Sequence, residues 1–131
     1  MQRVMLDRPD VPKAPSKAAP GIKVSGGSLI LVSGQVAWDA QGNVVSKGDI
    51  RAQARQAFEN LKRLYSAAGA TLQDVVKLNI YLTDLSHRQA VLEVRSEYLG
   101  RHNPPSTTVI VSSLVDKDLL IEIDATGMVD A

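Results

Sequence analysis

The chain has 131 residues, enough for one domain with a real core and too few for a second. Its 15 basic and 14 acidic side chains leave a formal charge of +1, which argues against a dedicated nucleic-acid binder with its basic surplus or stripe. The absence of cysteine excludes disulfides, thiolate nucleophiles and cysteine metal sites, and no apolar run is long enough for a membrane-spanning helix.

Met1 to Arg8 lack the apolar stretch and small residues of a secretory signal, so the cytoplasm is the default location. Residues 1–20 of the single 1–131 domain read as an extended arm. Pro9, Pro12, Pro15 and Pro20 remove backbone donors and fix φ there, which suits neither a helix nor a central strand. Ile22 to Val24 and Ser28 to Ser33, separated by Gly26-Gly27, read as a β-hairpin. The apolar run Leu29-Ile30-Leu31-Val32 then ends abruptly in Ser33-Gly34-Gln35. A buried strand closed by a glycine opens onto a turn, where backbone amides and short polar side chains can meet a small ligand.

After a turn at Asp39 to Asn43, Asp49 caps the clearest helix. Ile50, Ala54, Ala57, Phe58, Leu61, Leu64, Tyr65 and Ala68 share one stripe, with Arg51, Arg55, Glu59 and Lys62 towards solvent and Gly69 at the end. Val76, Leu78, Ile80 and Leu82 alternate with Lys77, Asn79, Tyr81 and Thr83, the signature of a half-buried strand. Ser86 is the expected cap of a second helix running to Leu99, with Val91, Val94 and Tyr98 inward and Gly100 as the stop. Ser106 to Val111 and Leu119 to Ala125 complete the strands. Two helices interspersed among strands without strict βαβ repeats predict an α+β two-layer sandwich with a mixed sheet and both helices on one face.

The alternation also predicts assembly. If Val76, Leu78, Ile80, Leu82, Ile121, Ile123 and Ala125 face the helices, then Lys77, Asn79, Tyr81, Leu120, Glu122 and Asp124, with Ile110, share the other face. A face of that mixed character is more simply covered by another copy of the chain than by water.

Glu122, flanked by Ile121 and Ile123, is a candidate proton carrier if burial raises its pKa; the plainer reading pairs it with Lys77 at a subunit interface. Ser33 suits a hydrogen-bonding role or a turn, but not a covalent nucleophile, because no G-x-S-x-G elbow surrounds it. Of Thr107 and Thr108, one should share the face of Glu122 and the other point into the core. His87 and His102 have no third ligand at metal-binding spacing, so no metal is expected. Trp38, the single tryptophan, is either a lid over a cleft or an interface anchor.

Together these pieces resemble the reactive-intermediate deaminase family, also called Rid or YjgF, with an older label as endoribonuclease L-PSP or translation inhibitor. The resemblance runs from about Ala14 to Met128. It rests on Ala14-Pro15, Val32-Ser33-Gly34-Gln35, the segment Gln53 to Leu61, Ala67-Ala68-Gly69, Val75-Val76-Lys77 and Tyr81 to Leu85. Pro105 to Val109 and Ile121-Glu122-Ile123-Asp124-Ala125 complete it.

The resemblance implies a chorismate-mutase-like fold of the bacillus type, a homotrimer, and small-molecule sites in the clefts between subunits. It implies hydrolysis of a reactive enamine or imine to a carbonyl compound and ammonia, as in 2-iminobutanoate/2-iminopropanoate deaminases, without a cofactor. In that family an arginine after the proline-containing loop holds the substrate carboxylate; Ser106 stands in its place here. A tyrosine of the arm is replaced around Pro20-Gly21, and an asparagine of the second helix becomes Leu92. The site implied for this chain has Glu122 as the catalytic residue, with Ser33, Gly34, Gln35, Ser106, Thr107 and Thr108 binding substrate. A non-catalytic metabolite-binding trimer is the alternative, and a ribonuclease the weakest reading, since aromatic platforms for bases are few.

Overall fold

The computed structural model describes residues 1–13 and 18–130. Along them run β1 (Gln2–Leu6), β2 (Gly21–Ser25), β3 (Ser28–Leu31), β4 (Gln35–Val36) and α1 (Ile50–Ala67). β5 (Val75–Leu82), α2 (Arg88–Leu99), β6 (Ser106–Ile110) and β7 (Ile121–Val129) follow, with single 3-10 turns at Leu72–Asp74 and Leu85–His87. Of the residues expected in an arm, Gln2–Leu6 form a strand, and Ala14-Pro15 lie outside the described residues.

The main sheet has the order β3-β7-β5-β6, and β4 also pairs with β7. β5 and β6 are parallel; the other pairs are antiparallel. α1 and α2 cover one face, giving the two-layer α+β sandwich that the order of elements implies. Phe58, Leu61 and Tyr65 of α1 and Val91, Val94 and Leu99 of α2 pack onto Leu78, Ile80, Leu82, Ile121 and Ile123. Phe58 and Tyr98 join the helices by stacking, with ring centroids 5.3 Å apart. Tyr65 lies so close over β7 that a Cβ at Gly127 would stand 2.7 Å from its ring. Glycine there lets the large ring reach the sheet.

The Asp49 carboxylate accepts the Ala52 amide at 3.1 Å and starts α1 as expected, and Gly69 takes the left-handed φ of 71° just beyond its end. The second helix differs at its start. Asp84, not Ser86, accepts the first amide, that of Ser86 at 2.9 Å, and a 3-10 turn leads into α2. The carboxylate stands before the turn and Ser86 within it, so Ser86 is a recipient of the cap.

The expected hairpin also resolves differently. β2 pairs with β1, and β3 pairs with β7. Joining β7 places Ile30 against the core, whereas a β2–β3 pair would have no helix behind it. Arg3 fastens the small β1–β2 sheet to the domain, donating to the Met128 carbonyl at 2.7 Å and to Asp74 at 3.2 Å.

Candidate functional site on the open sheet face

β7 writes its two faces in alternate residues. Ile121, Ile123, Ala125 and Gly127 are buried under the helices, while Glu122, Asp124, Thr126 and Met128 stand on the open side. The register across β5 and β6 sets Glu122 beside Tyr81 and Val109, and Asp124 beside Asn79 and Thr107. Val109, rather than the expected Ile110, therefore belongs to this face; Ile110 lies opposite Leu82 on the helix side. The run expected to be a buried strand is buried on one side only. Leu29 and Leu31 of β3 extend the open face with side chains 58% and 74% exposed, because β3 is an edge strand whose alternate residues face away from the helices. An exposed apolar border around polar centres fits a face that meets another molecule.

The two carboxylates of this face differ in their partners. Asp124 is fully engaged, accepting from Asn79 Nδ2 and from the Tyr81 hydroxyl, both at 2.9 Å. Its hydrogen bond is the main reason the Tyr81 hydroxyl is harder to ionise than an ordinary tyrosine. Lys77 donates to Thr107 Oγ1 at 2.7 Å, and burial lowers its pKa against the opposing pull of Asp124. Within one protomer Lys77 therefore does not reach Glu122; the plainer role considered for that glutamate, a pair with Lys77 at a subunit interface, belongs to contacts between copies. Among the described residues Glu122 has neither a hydrogen bond nor an ion pair. Nor do Ile121 and Ile123 enclose it, because adjacent strand residues face opposite sides. Glu122 is half-buried.

What Glu122 does touch is Gly34. A Cβ built there would stand 2.7 Å from the Glu122 carboxyl carbon, so the carboxylate rests on bare backbone. β4 brings the two together by pairing Gln35 with Ile123 and Val36 with Glu122. The Gln35 side chain donates back to the Ser33 carbonyl at 2.9 Å, which shapes the turn between β3 and β4. Ser33, Gly34, Gln35 and Glu122 are therefore one neighbourhood.

Ser106, Thr107 and Thr108 are another. Thr107 shares the open face, but Ser106 and Thr108 lie on the helix side of β6. Thr108 is nevertheless exposed, not in the core, because β6 is an edge strand. Ser106 stands two strands across and three residues along from Glu122, on the order of 14 Å by ordinary strand spacing. One protomer does not bring the two halves together.

Three polar residues hold this scaffold, and none of them is among the candidate site residues. Gln53 is fully buried, donates to the Asp118 carbonyl at 2.9 Å and accepts the Leu120 amide at 2.8 Å, anchoring the entry to β7. Asn60 donates to the Val36 and Trp38 carbonyls and so holds β4 against α1. Arg95, 6% exposed, donates to Asn103 Oδ1 at 2.8 Å and the Pro104 carbonyl at 3.3 Å. Burial lowers its pKa, and its Nε has no partner. An arginine interrupting the inward stripe of Val91, Val94 and Tyr98, close before a proline pair, was the available clue. The Asn103-Pro104-Pro105 loop cannot satisfy its carbonyls from prolines, and Arg95, Ala19 and Leu78 supply the donors. His102 is tied to the Val75 carbonyl at 2.7 Å, and the described residues contain no cluster of three metal-ligating side chains.

The family model described as Endoribonuclease L-PSP matches residues 12–129. A RutC family protein of Pyrococcus abyssi is 43% identical over 116 residues, covering 86% of this chain and 89% of the relative. A 2-iminobutanoate/2-iminopropanoate deaminase of Salmonella typhimurium is 33% identical over 115 residues, covering 86% of this chain and 89% of the relative. Among solved structures, a Rid family protein of Yersinia pestis superposes with a TM-score of 0.87 at 31% identity, over 98% of this chain and all of that one. The chain belongs to the endoribonuclease L-PSP family, the Rid and YjgF grouping that its motifs resemble.

Proposed function

We propose that this chain hydrolyses a small reactive imine or its enamine, releasing a carbonyl compound and ammonia, in a cleft completed by a second copy of itself. The observation that carries this reading is Glu122, unpaired on the bare Gly34 backbone while neighbouring Asp124 is fully engaged. A carboxylate without a protein partner is free to serve water and substrate. The deaminase name of the Salmonella typhimurium relative supports the reaction class.

In this mechanism water adds to the imine carbon, and the C=N π electrons move to nitrogen, which gains a proton. Glu122 takes a proton from the attacking water and returns one to nitrogen. The carbinolamine then collapses: Glu122 takes its hydroxyl proton and delivers it to the amino nitrogen, the C–N bond breaks with its electrons going to nitrogen, ammonia leaves and the carbonyl forms. Ser33 and the Gly34–Gln35 backbone orient the substrate beside Glu122. Ser106 and Thr108, which share one face of the edge strand β6, form the opposing wall from another protomer, with Thr107 on the other face of that strand. Ser106 offers one hydroxyl where a carboxylate would want a guanidinium fork, so the substrate differs from 2-aminoacrylate in its demand for that fork.

Glu122→Gln keeps the shape and removes the proton carrier. Ammonia release from 2-aminoacrylate and 2-aminomuconate, generated enzymatically and followed by rapid mixing, should fall about a hundredfold or more, with assembly unchanged. Full activity in the variant would make the carboxylate structural. No acceleration by the parent protein with either compound would favour a binding protein instead.

A further inference from the structure

A groove of about 410 Å³ runs between the Gly34–Gln35 turn and the second half of α1, with Trp38, Asp39, Arg63 and Leu64 among its walls. We propose that it binds a small planar monocarboxylate, the ring against Trp38 and the carboxylate on Arg63. It shares Gly34 and Gln35 with the Glu122 neighbourhood, but its other wall is α1 and Glu122 does not line it. The inference does not rest on the hydrolytic reading.

The cations of α1 are used unequally. Arg51 pairs with Glu93 at 2.5 Å and Arg55 with Glu97 at 2.8 Å. Arg63, two turns beyond Arg55, has no ion pair or hydrogen bond among the described residues, although it shares the groove with Asp39. The Asp39 carboxylate is occupied instead by the Gln41 and Asn43 amides, at 3.0 and 2.9 Å, which close its turn. The guanidinium therefore keeps its fork for an incoming oxyanion.

The aromatic wall is also prepared. Trp38 is 37% exposed, and its backbone is fixed by Asn60 donating to its carbonyl at 2.9 Å and by a bridge to Val44. Neither Arg63 nor another ring stacks on the indole; the ring contact among the described residues is Phe58 with Tyr98. An uncovered indole on a fixed backbone offers a stacking surface to a planar ligand. Leu64, 43% exposed, adds apolar wall. The volume lies at the small end of ligand sites and matches a one- or two-ring compound. One cation beside one carboxylate limits the ligand to a single negative charge. Gln35 contributes an acceptor oxygen, its amide nitrogen being spent on Ser33.

Trp38 is the only tryptophan, so its emission reports this groove directly. Titration with benzoate should change that emission saturably, with a Kd on the order of a millimolar for so small a ligand. Neutral benzamide should bind at least several-fold more weakly. Arg63→Gln, an exposed change that leaves the fold intact, should weaken benzoate about tenfold and leave benzamide unaltered. Asp39→Asn keeps the turn acceptor and should tighten benzoate. A benzoate response that does not saturate, or that is indifferent to Arg63→Gln, overturns the proposal. Emission that changes with protein concentration alone would seat a second copy in the groove and overturn it too. Saturable binding without ammonia release in the imine assay would sink the hydrolytic reading and leave this one standing.

Discussion

Gly34 and Glu122 are the pair on which the proposed site rests, and the contact between them can be broken from the glycine side. An alanine at 34 would place its Cβ against the Glu122 carboxyl group, which sits at the flexible end of its side chain. Gly34→Ala should therefore displace the carboxylate and cut ammonia release by about tenfold or more, while thermal unfolding shifts little. Unchanged activity would separate Gly34 from the site. Tyr65 offers the opposite case, a buried hydroxyl without a partner whose pKa is pushed up to about 12 by desolvation. Because the folded state holds the neutral phenol more tightly than the unfolded chain does, its contribution is complete below about pH 10. It is lost as pH rises from there through about 12. Tyr65→Phe should leave the melting temperature unchanged or raised at pH 7 and flatten the alkaline loss of stability, read from melting curves between pH 9 and 12. Individual residues were unevenly legible. Ser33-Gly34-Gln35 and Glu122 could be singled out because a strand ending in glycine and an acid between two isoleucines are local patterns. That Lys77 would choose Thr107, and Asp124 would take both Asn79 and Tyr81, depends on cross-strand register, which local pattern does not specify.

Elements were legible wherever one period sufficed. The stripe of α1 and the alternation of β5 and β7 each report a single buried face, and the structure has those faces, except that Leu64 and Ala68 of the expected stripe are exposed and Gln53 is buried with it. The β2–β3 hairpin failed because Gly26-Gly27 specifies a turn but not a partner, and β7, about a hundred residues later, competes for β3. The anchoring of β7 is equally non-local: Gln53 of α1 reaches the backbone of Asp118 and Leu120. Gln53→Leu keeps the bulk but leaves a buried amide and a carbonyl without partners, which should cost about 2–4 kcal/mol. The measurement is chemical denaturation at neutral pH, with circular dichroism checking that the helices persist. A cost below about 0.5 kcal/mol would mean that water replaces the amide at no loss.

At the scale of the whole molecule, the candidate site is divided by the sheet itself. Glu122 lies on the open face of β7, whereas Ser106 and Thr108 lie on the other face of β6, two strands away. No side-chain rotation closes that separation within one protomer. The apolar border of Leu29, Leu31 and Val109 gives the open face a reason to associate. We therefore expect the functional unit to be a ring of copies, each site taking Glu122 from one and Ser106 from its neighbour. Two inactive variants test this. Glu122→Gln removes the proton carrier, and Ser106→Tyr fills the opposing wall; each alone should have at most about a hundredth of the parent activity. Unfolded and refolded together in equal amounts, they should recover about a quarter of the parent rate, because in a cyclic assembly one site in four then draws both intact halves from different copies. Mixing without dissociation should recover nothing, which controls for simple addition of residual rates. Failure to recover activity in verified mixed assemblies would place the whole site within one protomer, and a fully active Ser106→Tyr would remove Ser106 from it.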